Sequence, residues 1–313
     1  MRVLLAYDGS VAADEAVTLA TSVEWPSDST IRVAGVVEPP LVLPGVPWAG
    51  AGVAVAPEVD AQMAAHLEAQ VAEAVRRLRS TGAGVEGAVL RGRPATVLVD
   101  EAGAFGADLV VAGSRGHGEI ATLVLGSVSA EIVDHAPCPV LVARRPSLHR
   151  ILFATDASEA SAAAEAVLVA WRIIANAAVR VLSVASIVEP WHTGIAPTMY
   201  RQVVDAYSRD LEEAKVQHRR IASEAADRLA AAGRTVDHRI ATGDAATAIV
   251  AGADEFEADL VVLGSRGQTG LTRMVLGSTA RNVLHGSHAS VLIVHPPGGG
   301  GGRAATPAQG VAG

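Results

Sequence analysis

Ala107-Asp108-Leu109-Val110-Val111-Ala112-Gly113-Ser114-Arg115-Gly116 returns 151 residues later as Ala258-Asp259-Leu260-Val261-Val262-Leu263-Gly264-Ser265-Arg266-Gly267. Each copy is a short apolar run that ends in a Gly-Ser-Arg-Gly loop. Working outward, Val3-Leu4-Leu5-Ala6-Tyr7-Asp8-Gly9-Ser10 returns as Ile151-Leu152-Phe153-Ala154-Thr155-Asp156-Ala157-Ser158, now at an offset of 148. Ile31-Arg32-Val33 through Val36 returns as Val179-Arg180-Val181 through Val184 at the same offset. A three-residue insertion or deletion therefore lies between these blocks. The chain is a duplication, expected as one unit over 1–146 and a second over 147–295, with the joint near Arg144–Arg150. From Pro296 onward a glycine run and small polar residues cannot build a core, so 296–313 is expected to be a disordered tail.

Inside each half, strand and helix patterns alternate. Strand-length Val/Ile/Leu runs fall near 2–7, 31–37, 85–91, 108–112 and 139–143, with counterparts near 150–155, 179–185, 235–241, 259–263 and 290–294. Continuous apolar runs fit strands buried on both faces, as in a parallel sheet covered by helices. Ala-rich amphipathic stretches near 11–23, 60–80, 94–105 and 127–136 supply those helices, and a long charged helix is expected near 199–232. The alternation reads as two tandem doubly wound α/β domains. Pro39–Pro57, with five prolines and three glycines, reads as a loop, as does Glu189–Thr198.

Composition narrows the function. A formal net charge of −8 argues against non-specific binding of nucleic acid or anionic membrane. No apolar stretch reaches the length of a membrane span, and Met1-Arg2 leads at once into a strand-like run, so a cytoplasmic protein is expected. Cys138, the sole cysteine, reads as a small core residue. Lys215 is the sole lysine. His285-x-x-His288 has no third ligand nearby, and no metal set is assigned.

The glycines carry the chemistry. Gly113-Ser114-Arg115-Gly116 is followed after nine residues by Gly126-Ser127 at the start of a helical pattern, and Gly264-Ser265-Arg266-Gly267 by Gly277-Ser278 at the same spacing. Glycine lets backbone approach a ligand closely, and a helix N-terminus offers free N–H donors and a favourable dipole to an anion. The arrangement suits a polyphosphate, with Ser127 and Ser278 as hydroxyl donors. There is no Walker A loop. Gly116-His117-Gly118-Glu119-Ile120-Ala121 matches a relaxed dinucleotide fingerprint but follows the wrong strand and is not repeated, so it is read as accidental.

At these residues the sequence resembles the universal stress protein family, in its tandem ATP-binding form. The resemblance covers about 2–145 and 150–295. It rests on the strand-one Asp, the Gly-Ser-Arg-Gly loop, the distal Gly-Ser and the final Cys138-Pro139-Val140-Leu141-Val142 strand. It implies a five-stranded parallel sheet in the order 3-2-1-4-5 in each half, flanked by helices, and pairing through the fifth strands, here as an intramolecular pseudo-dimer, with a homodimer as a further option. It implies ATP with Mg²⁺ as cofactor. Asp8 and Asp156 would contact adenosine, and Val36 and Val184 would meet adenine through their backbone. Gly113, Arg115 and Gly116, with Gly264, Arg266 and Gly267, would line the ribose and phosphate path. Gly126, Ser127 and Val128, with Gly277, Ser278 and Thr279, would hold the phosphates. The bland alternative for the glycines is tight turns and close helix–sheet packing, and for each Asp a turn former or helix cap.

The halves also differ. Cys138-Pro139 becomes Ala289-Ser290; Ser129, a candidate phosphate-side hydroxyl, becomes Ala280; and Gly92-Arg93-Pro94, with a cation for a phosphate, becomes Gly243-Asp244-Ala245. No catalytic set is found. The leading expectation is an ATP-binding stress or regulatory protein with little turnover. The alternatives are a slow ATPase or nucleotide-transferring enzyme of the same fold, and an interaction protein with vestigial sites.

Overall fold

The computed structural model describes residues 1–38, 57–114, 125–186, 200–267 and 276–296. The first half runs β1 (Arg2–Ala6), α1 (Val11–Ser22), β2 (Thr30–Val37), α2 (Pro57–Leu78), β3 (Gly84–Arg91), α3 (Pro94–Phe105), β4 (Leu109–Gly113), α4 (Ser127–His135) and β5 (Val140–Ala143). The second repeats it as β6 (Arg150–Ala154), α5 (Glu159–Ala170), β7 (Ala178–Ala185), α6 (Tyr200–Ala231), β8 (Thr235–Thr242), α7 (Ala245–Glu255), β9 (Leu260–Gly264), α8 (Ser278–Gly286) and β10 (Ser290–Val294). Pro57, read with the preceding loop, instead opens α2, where a proline's missing N–H costs nothing. The two expected loops, over 39–56 and 187–199, and the tail from 297 lie outside the described residues.

Strand order is β3-β2-β1-β4-β5-β10-β9-β6-β7-β8, so each half shows the expected 3-2-1-4-5 order. All pairings within a half are parallel, and β5 meets β10 antiparallel, with Val142 opposite Val291 and Val140 opposite Ile293. The apolar fifth strands thus cover one another and leave no exposed edge at the centre. The true edges are β3 and β8, whose Glu86 and Asp237 pair with Arg32 and Arg180 of the neighbouring strands.

Alternation along each strand feeds two cores. Val3 and Leu5 of β1 pack with Leu19 of α1, Val71 and Leu78 of α2, Leu168 of α5 and Leu229 of α6 on one face. Leu4 packs on the other face with Leu98 of α3, Ile132 of α4, Ile249 of α7 and Val283 of α8. Both cores run across the two halves. Cys138 is buried in the second, which pushes its thiol up to about 12 and suits a packing residue.

The change from Pro139 to Ser290 acquires a reason here. Ser290 Oγ accepts the N–H groups of both Arg144 (3.1 Å) and Arg145 (3.0 Å), holding the chain as it leaves β5. Arg144 also reaches the Leu284 carbonyl at 2.5 Å, near the C-terminal end of α8, where a cation is favoured. At the equivalent point of the second half, His295 Nε2 lies 3.0 Å from the Val133 carbonyl of α4, and burial pushes its pKa down. No described helix is long and apolar enough to cross a membrane.

Candidate functional site

The strand order reverses between β1 and β4, because the connection after β1 goes to α1 on one face and that after β4 goes to α4 on the other. A crevice must open there, at the carboxyl ends of the strands. In the first half it is a cleft of about 680 Å³, and Asp8, Val36, Gly113, Gly126, Ser127 and Val128 all line it. In the second half the matching cleft is about 350 Å³, lined by Asp156, Val184, Gly264, Gly267, Gly277 and Ser278, with Arg266 and Thr279. The structure therefore brings every described candidate residue to one of two equivalent places. Arg115 and Gly116 lie outside the described residues.

Each cleft ends at a helix N-terminus of one kind. Helices α1, α5 and α7 are capped by side chains: Ser10, Ser158 and Asp244 accept N–H groups of their own first turns. Helices α4 and α8 begin at Gly126 and Gly277 with no side-chain cap. The Gly126 N–H is used by the Ser114 carbonyl (2.9 Å) and that of Gly277 by the Ser265 carbonyl (2.8 Å). The first intrahelical donors are Ala130 and Arg281. The N–H groups of Ser127, Val128 and Ser129, and of Ser278, Thr279 and Ala280, thus precede the helical ladder and remain for an anion. The Ser265 hydroxyl, at the same end, is buried with no partner among the described residues.

Two glycines serve close helix–sheet packing, the alternative role for this motif, as well as lining the clefts. Gly113 and Gly264 do line the clefts, yet a Cβ on Gly113 would lie 2.5 Å from the Ala12 carbonyl carbon and one on Gly264 2.5 Å from that of Ala160. Their bareness lets α1 and α5 sit directly on β4 and β9. Gly267 is closer to the ligand role: its Cβ would lie 2.9 Å from Asp156 Oδ2, in the cleft itself.

Asp8 and Asp156 show the turn-forming role as well as a cleft position, since their Oδ1 atoms accept the N–H groups of Ser10 and Ser158 at 3.0 Å. Ser129 does not offer its hydroxyl to a phosphate: buried, it donates to the Gly113 carbonyl at 2.8 Å and ties α4 to β4. Ala280 lacks that tie. Arg93 is held by Glu131 of α4 at 2.7 Å, so its charge is already matched. Asp244 caps α7, and bonds from the Thr247 hydroxyl and N–H hold its carboxyl below the usual range. Lys215 is engaged by Glu212 at 2.7 Å, and among the described residues no three His, Cys, Asp or Glu side chains could hold a metal ion.

Sequence reasoning missed the α2 wall of the first cleft, formed by Met63, His66, Leu67 and Gln70. Their spacing marks one helix face, but nothing in the motif pattern joins that face to the glycine loops.

Comparison with known proteins gives one family. The model described as "Universal stress protein family" matches residues 1–144 and again 147–295. A universal stress protein of Thermus aquaticus is 34% identical over 143 residues, covering 45% of this chain and 97% of that one. One of Mycobacterium bovis is 31% identical over 202 residues, 60% of this chain and 61% of that protein. Among solved structures, a universal stress protein from Archaeoglobus fulgidus superposes with a TM-score of 0.62 at 20% identity, over 94% of this chain and 96% of that one, which is a likeness of fold.

Proposed function

The chain belongs to the universal stress protein family, and from that premise we propose that it is an ATP-binding regulatory protein with one nucleotide site in each half and little turnover. The observation that carries this reading is the pair of equivalent clefts, each ending at a glycine-capped helix N-terminus whose first N–H groups have no capping side chain. Volumes of about 680 and 350 Å³ fall in the range of small-molecule sites.

The nucleoside would sit against the apolar floor, with Leu98 and Leu125 in the first cleft and Ile249 and Leu276 in the second. Asp8 or Asp156 would accept its hydroxyl or amine donors. The triphosphate would run to the start of α4 or α8, where Ser127 and Val128, or Ser278 and Thr279, donate backbone N–H groups. With no carboxylate cluster in either cleft among the described residues, Mg²⁺ would come bound to the phosphates.

Such a site holds well and reacts poorly. Phosphoryl transfer needs an oriented nucleophile and cations on the developing charge. The described clefts offer mainly N–H groups and hydroxyls, with Arg266 of the second cleft as a cation and no acidic residue clearly placed to orient water. Such donors bind ground state and transition state alike, and uniform binding does not accelerate chemistry. Calorimetric titration with ATP, GTP and AMP, beside a turnover assay with Mg²⁺, tests the proposal. Preferential ATP binding with turnover well below about 1 s⁻¹, the low end of ordinary enzymes, is expected. Faster turnover lost in Ser127→Ala or Ser278→Ala would make the protein an ATPase, and no binding at millimolar ATP would leave the clefts vestigial.

A further inference from the structure

The two halves differ most sharply at the helix that follows the second strand. Helix α2 lines the first cleft directly, whereas α6 adjoins the second through His218, which reaches the lining residue Thr155 by way of Ser183 and the lining residue Asp156 by its charge. Helices α2 and α6 correspond at an offset of 151: Leu78 and Leu229 are both fully buried, and Arg77 bonds Asp14 of α1 as Arg228 bonds Glu165 of α5. Strands β2 and β7 correspond at 148. Leu67, which lines the first cleft and packs on Gly35, is therefore replaced by His218, which packs on Ser183. The exchange is coupled. A Cβ on Gly35 would lie 3.0 Å from Leu67 Cδ2 and Cγ, so a serine there requires the leucine to give way by a few tenths of an ångström. Two further neighbours change with them, Tyr7 to Thr155 and Ala13 to Ser161.

The result is a buried relay that fixes the imidazole. Ser183 Oγ donates its one hydrogen to the Thr155 carbonyl at 2.7 Å, so it can only accept from His218 Nδ1, 2.8 Å away. Thr155 Oγ1 in turn donates to Ser161 Oγ at 3.2 Å, and Ser161 Oγ to the Ser158 carbonyl at 3.0 Å. With Nδ1 protonated, neutral His218 keeps a lone pair on Nε2, which no described residue engages. Asp156, the residue beside Thr155 that lines the second cleft, acts electrostatically on the ring.

We propose that His218 reads the ligand of the second cleft by accepting, through Nε2, an N–H or O–H of the nucleoside, and that binding there, unlike binding in the first cleft, therefore depends on the protonation of this ring. The proposal rests on the reading of both clefts as nucleotide sites. Burial pushes the His218 pKa down, against the opposing pull of Asp156, so the ring is neutral and able to accept at neutral pH. Among the described residues packed here, Glu165 of α5 is held by Arg228 and Lys215 of α6 by Glu212, and β7 presents the Ser183 hydroxyl. Strand β8 carries the exposed His238 on the face of Val236 and Ile240, and Arg266 lines the cleft itself. Protonation removes the acceptor, so affinity of the second site falls as pH drops through the His218 pKa. The first site, with Leu67, has no such step.

The test uses the full chain with ¹⁵N-labelled histidine, titrated from pH 7.5 to 5 with and without ATP, beside calorimetry at pH 7.5 and 5.5. Protonation of ATP itself acts on both sites and cancels in their ratio. His218 is expected as the Nδ1–H tautomer, with a pKa lowered further by ATP, and the second site is expected to weaken about fivefold relative to the first at pH 5.5, the worth of one neutral hydrogen bond. Ser183→Gly/His218→Leu, which rebuilds the packing of the first half, should bind ATP at both sites with one pH response. An Nε2–H tautomer, or ATP binding in the second half that leaves the His218 pKa unmoved, overturns the proposal. No ATP binding in either half overturns instead the nucleotide reading on which it stands.

Discussion

The two clefts share the ends at which α4 and α8 begin and differ in the helix packed beside them. At the shared end the same devices recur: a glycine where helix meets strand (Gly113, Gly264), an Asp that closes the turn after the first strand (Asp8, Asp156), and a glycine-capped helix without a side-chain cap (α4, α8). Beside them, Gly35 and Leu67 give way to Ser183 and His218, two exchanges at one packing contact. The ends of the fifth strands differ as well, with the permanent cation Arg144 where the second half has the half-buried His295, whose pKa burial pushes down. What recurs is set by backbone geometry, which leaves little choice of residue. What differs is side-chain packing, where a change at one position is tolerated once its neighbour changes.

The comparison breaks most easily at the shared glycines. Gly113→Ala and Gly264→Ala should each cost about 2–3 kcal/mol, because the new Cβ meets helix backbone that cannot rotate away. Urea unfolding without nucleotide measures it, and loss of ATP binding with unchanged stability would show that these glycines serve the ligand alone.

A somewhat smaller effect is expected from moving the wall of one half into the other. Gly35→Ser should cost about 1–2 kcal/mol through its contact with Leu67, and Gly35→Ser/Leu67→His should recover most of it. Additive losses in a double-mutant cycle would show that the two positions are not coupled.

The turn after the first strand offers a gain. Ala157 sits at φ 61° where the first half has Gly9 at φ 77°, so Ala157→Gly should stabilise the second half by about 1 kcal/mol. A fall in the unfolding midpoint would contradict it.

The smallest effect separates Arg144 from His295. Because burial lowers the folded-state pKa of His295, the unfolded chain binds the proton more readily, and stability falls as pH drops below the unfolded value of about 6.5 toward the folded one. His295→Leu should flatten that part of the pH–stability curve, and an unchanged slope would remove His295 as its source.

The fold was legible because the strands are continuous apolar runs and occur twice, so β4, β5, β9 and β10 stand out without any neighbour being known. The glycine–serine ends of the clefts were legible because close approach and helix capping restrict residue type. Three things were not. Gly113 and Gly264 could serve a ligand or close helix–sheet packing, and only the position of α1 and α5 shows that packing demands them. Ser129 looked like a phosphate donor, and its bond to the Gly113 carbonyl depends on a contact across 16 residues of chain. Helices α2 and α6 lie far from the motifs in sequence, and Leu67 or His218 reads as an ordinary helix residue until the register of β2 and β7 is known.

The central claim is that each half holds a nucleotide with its phosphates at a helix N-terminus. Amide chemical shifts of the full chain under titration with ATP and with adenosine test it most directly. The N–H signals of Ser127 and Val128, and of Ser278 and Thr279, should move strongly with ATP and little with adenosine, in both halves. ATP-induced shifts that spare these four amides, or that appear in one half alone, would contradict it.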